Sequence, residues 1–229
     1  MNVSSHRYPA LIAGWLTPVY DFFSRLFLPE GRVTRALIAR ACLAAGDRVL
    51  DLGAGSGTLA IRLKQIEPDV YLIALDGDAE ILGIAREKAA RAGAAISFQV
   101  GDATAVPYVK GTFDHITVSL VLSLLGNAEK QRVIDEAYRV LAGGGELHIA
   151  DFGPPRTWWA RLVAPLVSRF EPISGNLSGC ILPMCHSAGF ERVHDTAQLG
   201  TLFGTLEILS VRKPGGAARE ASEELNSQL

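Results

Sequence analysis

Two patterns of apolar positions alternate along this chain: short runs dense in apolar residues, and stretches in which apolar residues recur every three or four places. The runs at 49–52, 70–75, 96–100, 113–118 and 146–150 have the length and β-branched content of strands buried on both faces. Residues 59–66, 78–92 and 129–141 repeat at helical spacing. Each is followed by a stop: Pro68, Gly93 and the run Gly143-Gly144-Gly145. Ahead of the first strand, Val33, Leu37 and Ala41 share one helical face, with Gly46 as the terminating glycine. Alternation of this kind predicts a parallel sheet with crossover helices. Beyond Asp151 the pattern changes. Gly153-Pro154-Pro155 forces an irregular exit, and 177–188 reads as a helix interrupted by Pro183 and closed by Gly189. Residues 190–198 and 202–211 read as an antiparallel hairpin at the sheet's edge, turning through Leu199-Gly200-Thr201.

The same patterns divide the chain into parts. Residues 1–45 form an aromatic and helical arm carrying Tyr8, Trp15, Tyr20, Phe22, Phe23 and Phe27. It packs on the main domain or lies over a site as a lid, with Tyr20-Asp21 near the ligand. Residues 46–152 form the α/β core, 153–189 a capping insertion, 190–213 the hairpin of the same sheet, and 214–229 a small, polar tail expected to be disordered. The 229 residues suit one well-buried domain. With 22 basic and 24 acidic residues there is no basic excess for a nucleic-acid partner. No run approaches the ~20 apolar residues that span a bilayer. The start of the chain lacks a secretory pattern, and its three cysteines have no CxxC spacing, so free thiols and a cytoplasmic location are expected. Residues 156–170, with Trp158 and Trp159 among Arg156, Arg161 and Arg169, read as a capping helix or as a surface that touches a membrane.

Candidate chemistry gathers where the first strand ends. Arg48-Val49-Leu50-Asp51-Leu52 breaks into Gly53-Ala54-Gly55-Ser56-Gly57-Thr58 before a helix begins. Such a turn lets backbone lie against a ligand at a helix N-terminus. Its glycines are evenly spaced, whereas a dinucleotide fingerprint puts the third glycine three residues after the second. Asp51 would repel a pyrophosphate and attract an ammonium or sulfonium. The corner therefore suits a cationic, phosphate-free nucleoside. In an open parallel sheet the ligand lies beyond the carboxyl ends of the strands. Those ends supply Asp76 with Gly77, at the interval suited to ribose hydroxyls; Asp102 with Ala103, suited to an adenine edge; Ser119; and Asp151. Each aspartate alone reads as a turn or helix cap. Together with the glycine turn they read as a site.

In order, Asp51-Leu52-Gly53-Ala54-Gly55-Ser56-Gly57, Ala74-Leu75-Asp76, Gly101-Asp102-Ala103, and Phe113-Asp114 leading to Ser119-Leu120 resemble the motifs of class I S-adenosylmethionine-dependent methyltransferases. Within them the chain is most similar to the ubiquinone/menaquinone C-methyltransferase-like group. The resemblance implies a doubly wound, Rossmann-like α/β fold of seven mostly parallel strands, with S-adenosylmethionine as cosubstrate held by the 46–152 core. It places Tyr20, Gly53, Ala54, Gly55, Gly57, Ser119 and Leu120 around the methionine and ribose portions, Asp51 near the methionine amino group, Asp76 with Gly77 at the ribose, and Asp102 with Ala103 at the adenine. Many relatives carry a histidine pair where this chain has Ser123-Leu124, so no catalytic base is carried over.

Methyl transfer is an in-line displacement, and alignment with exclusion of water supplies much of the catalysis. The expected acceptor is a small, largely apolar molecule, quinone-, lipid- or natural-product-like, held between the arm and the insertion. Carbon, oxygen and nitrogen acceptors all stay open, as does the oligomeric state. Asp151 and Glu171 are candidate bases if a proton must leave. His115 and His148 read as hydrogen-bonded core histidines, His186 and His194 as surface groups, and no metal is expected. Cys42, Cys180 and Cys185 invite comparison with arsenite methyltransferases, although ordinary packing explains buried thiols. The competing readings are an NAD-dependent oxidoreductase and a catalytically silent nucleoside-binding subunit.

Overall fold

The structure, a computed structural model, describes residues 30–155, 175–192, 196–201 and 204–215. The helix α1 (Glu30–Ala41) leads into β1 (Arg48–Leu52), α2 (Thr58–Ile66), β2 (Tyr71–Asp76), α3 (Ala79–Arg91), β3 (Ser97–Val100), β4 (Phe113–Ser119), a single 3-10 turn (Leu122–Leu124), α4 (Asn127–Val140) and β5 (Leu141–Gly153). After the insertion come α5 (Ile181–Ser187), β6 (Glu191–Arg192), β7 (Ala197–Thr201) and β8 (Gly204–Arg212).

The strands form one sheet in the order β3-β2-β1-β4-β5-β8-β6, with β7 also on β8. β1 to β5 are mutually parallel, and β8 runs antiparallel to β5 from Glu146↔Arg212 to Gly153↔Thr205. Since β5 occupies one edge of β8, both β6 and β7 lie along the other: Arg192 pairs with Val211 and Ala197 with Ile208. They are two segments of one interrupted edge strand, so the eight segments fill seven sheet positions. This is the expected doubly wound, mostly parallel α/β sheet.

Burial follows the strand pleat. Leu50, Leu52, Ile116, Val118, Leu147 and Ile149 face a core shared with Val133, Ile134 and Ala137 of α4 and with Ile181 and Cys185 of α5. Val49, Leu72, Ala74, Ala150 and Ile208 face the other core, covered by Val33 and Leu37 of α1 and by Leu59, Ala60 and Leu63 of α2. Among the described residues no helix is long and apolar enough to cross a membrane.

Four local expectations are corrected. α4 ends at Val140 because Leu141 turns extended at φ −76° and ψ 139°, and Gly143-Gly144-Gly145 lies inside β5, not beyond a helix. The register jumps there from Phe113↔Leu141 to His115↔Glu146, so the glycines absorb extra residues in a bulge. A Cβ on Gly145 would sit 2.7 Å from the Asp114 carbonyl oxygen. Pro183 does not interrupt its helix: it is the third residue of α5, where no backbone N–H is needed within the helix. The left-handed residue after α1 is Cys42, at φ 42°, and Gly46 instead donates to the Asp69 carbonyl in the turn into β1. Leu199, Gly200 and Thr201 are strand, because Thr201 already pairs with Gly204.

Candidate active site at the strand ends

The direction of strand succession reverses between β1 and β4, and the carboxyl ends of β1, β2, β3 and β4 meet beside that point. The turn after β1 is built on its neighbour. The Gly53 and Ala54 amides both donate to the Leu75 carbonyl (2.8 and 3.0 Å), and the Gly55 amide donates to Asp76 Oδ2 (2.8 Å). The other Asp76 oxygen accepts from the Asp78 amide (2.9 Å). Asp76 thus fastens the glycine turn to the end of β2 and keeps lone pairs free, since each carboxylate oxygen can take a further donor. Lys88 of α3 reaches the Ser56 and Thr58 hydroxyls at 3.0 and 2.8 Å and holds the turn from its far side.

The glycines of the turn do different work. All three adopt positive φ, 76° at Gly53, 51° at Gly55 and 72° at Gly57. A Cβ on Gly53 would lie 2.3 Å from Val121 Cγ2, and one on Gly57 would lie 3.0 Å from Ala85 Cβ. These two are required by packing. At Gly55 the nearest atom is Ile81 Cδ1 at 3.9 Å, so open space lies over the bare backbone.

Asp51 lies beneath this turn, 1% exposed. The Thr117 hydroxyl donates to its Oδ1 (2.8 Å), while Oδ2 has no hydrogen-bond partner among the described residues. Burial pushes the carboxyl up to about 6, with the nearby Asp76 charge adding to the rise; the Thr117 hydroxyl and the Ala60 amide oppose it. An unpartnered buried carboxylate oxygen is a place where a cation gains most.

Asp102 follows β3 in an exposed turn and accepts from the Thr104 amide and hydroxyl (2.7 and 2.8 Å), both on Oδ1. Ala103 packs against the α4-side core. Glu136 and Arg139 of α4 clamp the segment that follows: Arg139 donates to the Val106 and Tyr108 carbonyls (both 2.8 Å), and the Val106 amide donates to Glu136 (2.8 Å). Ser119 ends β4, and Leu120 next to it adopts φ 58° while donating to the Ala150 carbonyl (2.8 Å). A left-handed leucine stores strain of about 1–3 kcal/mol, and such strain concentrates at functional sites. Gly77 is exposed between Asp76 and Asp78. Tyr20, Glu171, His194 and the 156–170 segment lie outside the described residues.

One strand further along, a second group of polar residues is enclosed. Asp151 is fully buried; it accepts from the amides of Ser123 (3.1 Å) and Phe152 (2.7 Å) and from Asn176 Nδ2 (3.2 Å). Burial raises its pKa, chiefly against the Ser123 side chain and these amides. The buried Ser123 hydroxyl and Asn176 Oδ1 do not reach hydrogen-bond geometry with any described residue. Lys130 of α4 is also buried; desolvation lowers its pKa, with Cys180 and Asp151 opposing. Ser123, Lys130 and Asn176 were not foreseen from the sequence. Lys130 carried a signal, since it falls in phase with Val133, Ile134 and Ala137 on the apolar stripe of its helix. Asp151, expected as a candidate base, ties together β5, the 3-10 turn and the insertion.

Cys42 does not join the other two thiols, whereas Cys180 packs against the core that holds Cys185. Cys42 is exposed at the end of α1, Cys185 is buried in the opposite core with its thiol pushed up to about 12 by desolvation, to which the Cys180 charge adds, and Cys180 is partly buried beside Lys130. His186 is exposed, as expected, with Nδ1 3.1 Å from the Phe190 carbonyl.

Residues 49–145 match the family model of the methyltransferase domain. The demethylmenaquinone methyltransferase of Thermus thermophilus is 36% identical over 142 residues, 61% of this chain and 64% of that protein. The arsenite methyltransferase of Halobacterium salinarum is 31% identical over 166 residues, 68% of this chain and 40% of that protein. The match thus spans less than two thirds of these relatives. Among solved structures, the cyclase SpnF has a TM-score of 0.68 at 22% identity over 81% of each chain. The YcgJ protein of Bacillus subtilis has 0.65 at 18% identity, over 81% of this chain and all of its own. Both show the fold alone. Residues 49–145 thus carry a methyltransferase domain, and the chain is similar to demethylmenaquinone and ubiquinone/menaquinone C-methyltransferases.

Proposed function

We propose that this chain transfers the methyl group of S-adenosylmethionine to a small, largely apolar acceptor of the quinol, lipid or natural-product type. The observation that carries the reading is the unpartnered Asp51 Oδ2 beneath a glycine turn whose Gly55 faces open space. A cationic nucleoside fits this donor set and a pyrophosphate does not. In this reading Asp51 balances the methionine ammonium and Asp76 accepts the ribose hydroxyls with its remaining lone pairs. Asp102 and the Ala103 amide meet the adenine. Gly53, Ala54, Gly57, Gly77, Ser119 and Leu120 form the walls, and Tyr20 covers them. When bound, S-adenosylmethionine supplies an electrophilic methyl on a sulfonium. The chain's part is to align the acceptor atom with that methyl and to keep water out.

The acceptor side of the reading is the region of Ser123, Asn176 and Lys130, between the 3-10 turn and the insertion. Its enclosed hydroxyl and amide oxygen suit a hydroxyl-bearing ring in an otherwise apolar space, as in the quinol class suggested by the Thermus relative's name. Acceptor atom and base are left open by this reading. The arsenic reading, suggested by the Halobacterium relative's name, loses support because Cys42 lies far from Cys180 and Cys185, on the other side of the sheet. The reading places the enzyme in the cytoplasm, with 156–170 meeting any membrane-borne acceptor.

The test is transfer of labelled methyl from S-adenosylmethionine to a short-chain demethylmenaquinol by the purified full chain. Label in the extracted quinone, reduced strongly in Asn176→Ala, supports the reading. Tight S-adenosylmethionine binding without transfer to this or any apolar acceptor would favour a silent nucleoside-binding subunit instead.

A further inference from the structure

At the opposite ends of the same strands lies a second constellation with no part in the site above. His115 of β4 pairs with Glu146 of β5, and His148 lies two residues further along β5 beside Thr117. Paired residues of parallel strands share a face, so all three side chains lie on the α1 side of the sheet, where Val49, Leu72, Ala74, Ala150 and Ile208 pack and where Asp51, Thr117 and Ser210 are the other buried polar groups among the described residues. His148 is fully buried, Glu146 is 8% exposed and His115 is partly buried. A fully buried imidazole in such a layer needs a reason.

The donor atoms are spaced as metal ligands. His115 Nδ1 and His148 Nε2 are 3.4 Å apart, His148 Nε2 and Glu146 Oε2 are 3.7 Å apart, and all three lie within 4.8 Å of one another. A tetrahedral zinc ion, with bonds of about 2.0–2.1 Å, sets its ligand atoms about 3.3 Å apart. Each donor is oriented by an outer partner. His115 Nε2 faces Asp47 Oδ2 at 3.4 Å, His148 Nδ1 bonds Ser210 Oγ at 2.9 Å, and Arg212 Nε bonds Glu146 Oε1 at 3.1 Å, which leaves Oε2 for the shared point. A carboxylate oxygen of Asp47 beside Nε2 favours the His115 tautomer with its proton there, in which Nδ1 presents a lone pair inward. With that tautomer, the 3.4 Å contact is one in which His148 Nε2–H donates to that lone pair. Rotation of the Ser210 hydroxyl from donor to acceptor lets the His148 proton sit on Nδ1 instead. Both imidazoles then point lone pairs at one position, with no net gain or loss of a proton.

We propose that His115, Glu146 and His148 form a binding site for a divalent first-row metal ion of the zinc class, with water in the fourth position on the partly exposed Asp47 and His115 side. Two imidazoles and a carboxylate suit such an ion rather than calcium or magnesium, which take all-oxygen sets. Glu146 and Asp47 set two negative charges against the single positive charge of Arg212. The site would clamp β4 to β5 next to the glycine bulge, away from the methyl-transfer cleft, so its role is structural.

Untagged full-length protein, stripped with a chelator, is titrated with Co²⁺ and then Zn²⁺. The expected result is one Co²⁺ per chain, with the visible bands of four-coordinate cobalt, bleached by Zn²⁺, and a melting temperature raised by Zn²⁺. His115→Gln and Glu146→Gln should abolish both effects while keeping S-adenosylmethionine binding, and Asp47→Asn, at the rim, should weaken metal binding about tenfold. Wild-type protein without cobalt bands or a zinc-induced melting shift would overturn the proposal. So would bands that persist in His115→Gln, since the metal would then sit on other groups such as the thiols. If His115→Gln fails to fold, the Asp47→Asn titration decides: unchanged metal affinity in that variant overturns the site.

Discussion

At the scale of single residues, Asp51 is the group whose chemistry most exceeds its structural need. Its folded pKa of about 6 stands above the ordinary aspartate value of 3.8, so the folded chain holds this proton more tightly than the unfolded one between those values. Stability contributed by this group is therefore highest in acid, falls as pH rises through that window, and is lower by about 3 kcal/mol once the carboxyl is ionised. Chemical denaturation of the ligand-free protein from about pH 4 to about pH 7 should show this fall, and Asp51→Asn should flatten it. The same variant should bind S-adenosylmethionine at least tenfold more weakly, because a cation at Oδ2 is what offsets the buried charge. Unchanged affinity would place the ammonium elsewhere. Asp76 offers a separation of roles. Asp76→Asn keeps an acceptor for one of the two turn amides and sets its NH2 against the other, whereas Asp76→Ala removes both acceptors, so both variants should lower affinity and Ala should lower stability more than Asn, as read by calorimetry and melting.

At the scale of elements, the glycine turn and the clamp after β3 set the cleft's shape. Gly53→Ala drives a methyl into Val121 at a positive φ and should destabilise the fold by several kcal/mol. Gly55→Ala meets no neighbour, so its stability loss should stay near the about 1–2 kcal/mol of a left-handed alanine. Its binding loss should be the larger effect, since the added methyl enters the open space. A folded Gly55→Ala with full affinity would mean that the ligand does not lie over this backbone. These elements also show what the sequence carried. Strand runs, the order of motifs and the acidic strand ends are local patterns and were legible. Gly143-Gly144-Gly145 was misread as a helix stop, because a bulge is visible only against its partner strand. Pro183 was misread as a break, because its effect depends on where α5 starts. The tie that Asp151 makes was not legible, because it depends on Ser123 and Asn176, distant in sequence. Lys130 could have been read, being a charge in the apolar phase of α4.

At the scale of the whole molecule, the sheet separates two regions. Its carboxyl ends hold the proposed cosubstrate site and, one strand over, the enclosed Ser123, Asp151 and Asn176 group. Its other end holds the His115, Glu146 and His148 cluster under α1. Lys213 closes the structure by donating to the Tyr138 and Leu141 carbonyls (2.6 and 2.7 Å), which fastens β8 to the end of α4. Lys213→Ala should therefore lower the melting temperature through loss of buried hydrogen bonds while leaving cosubstrate affinity unchanged. The most direct test of the strand-end site is calorimetric titration of the purified full chain with S-adenosylmethionine, with NAD in parallel, for wild type and Asp76→Asn. The account predicts one S-adenosylmethionine per chain, no NAD binding, and affinity at least tenfold weaker in Asp76→Asn. Binding of NAD instead, or S-adenosylmethionine affinity indifferent to Asp76, would contradict it.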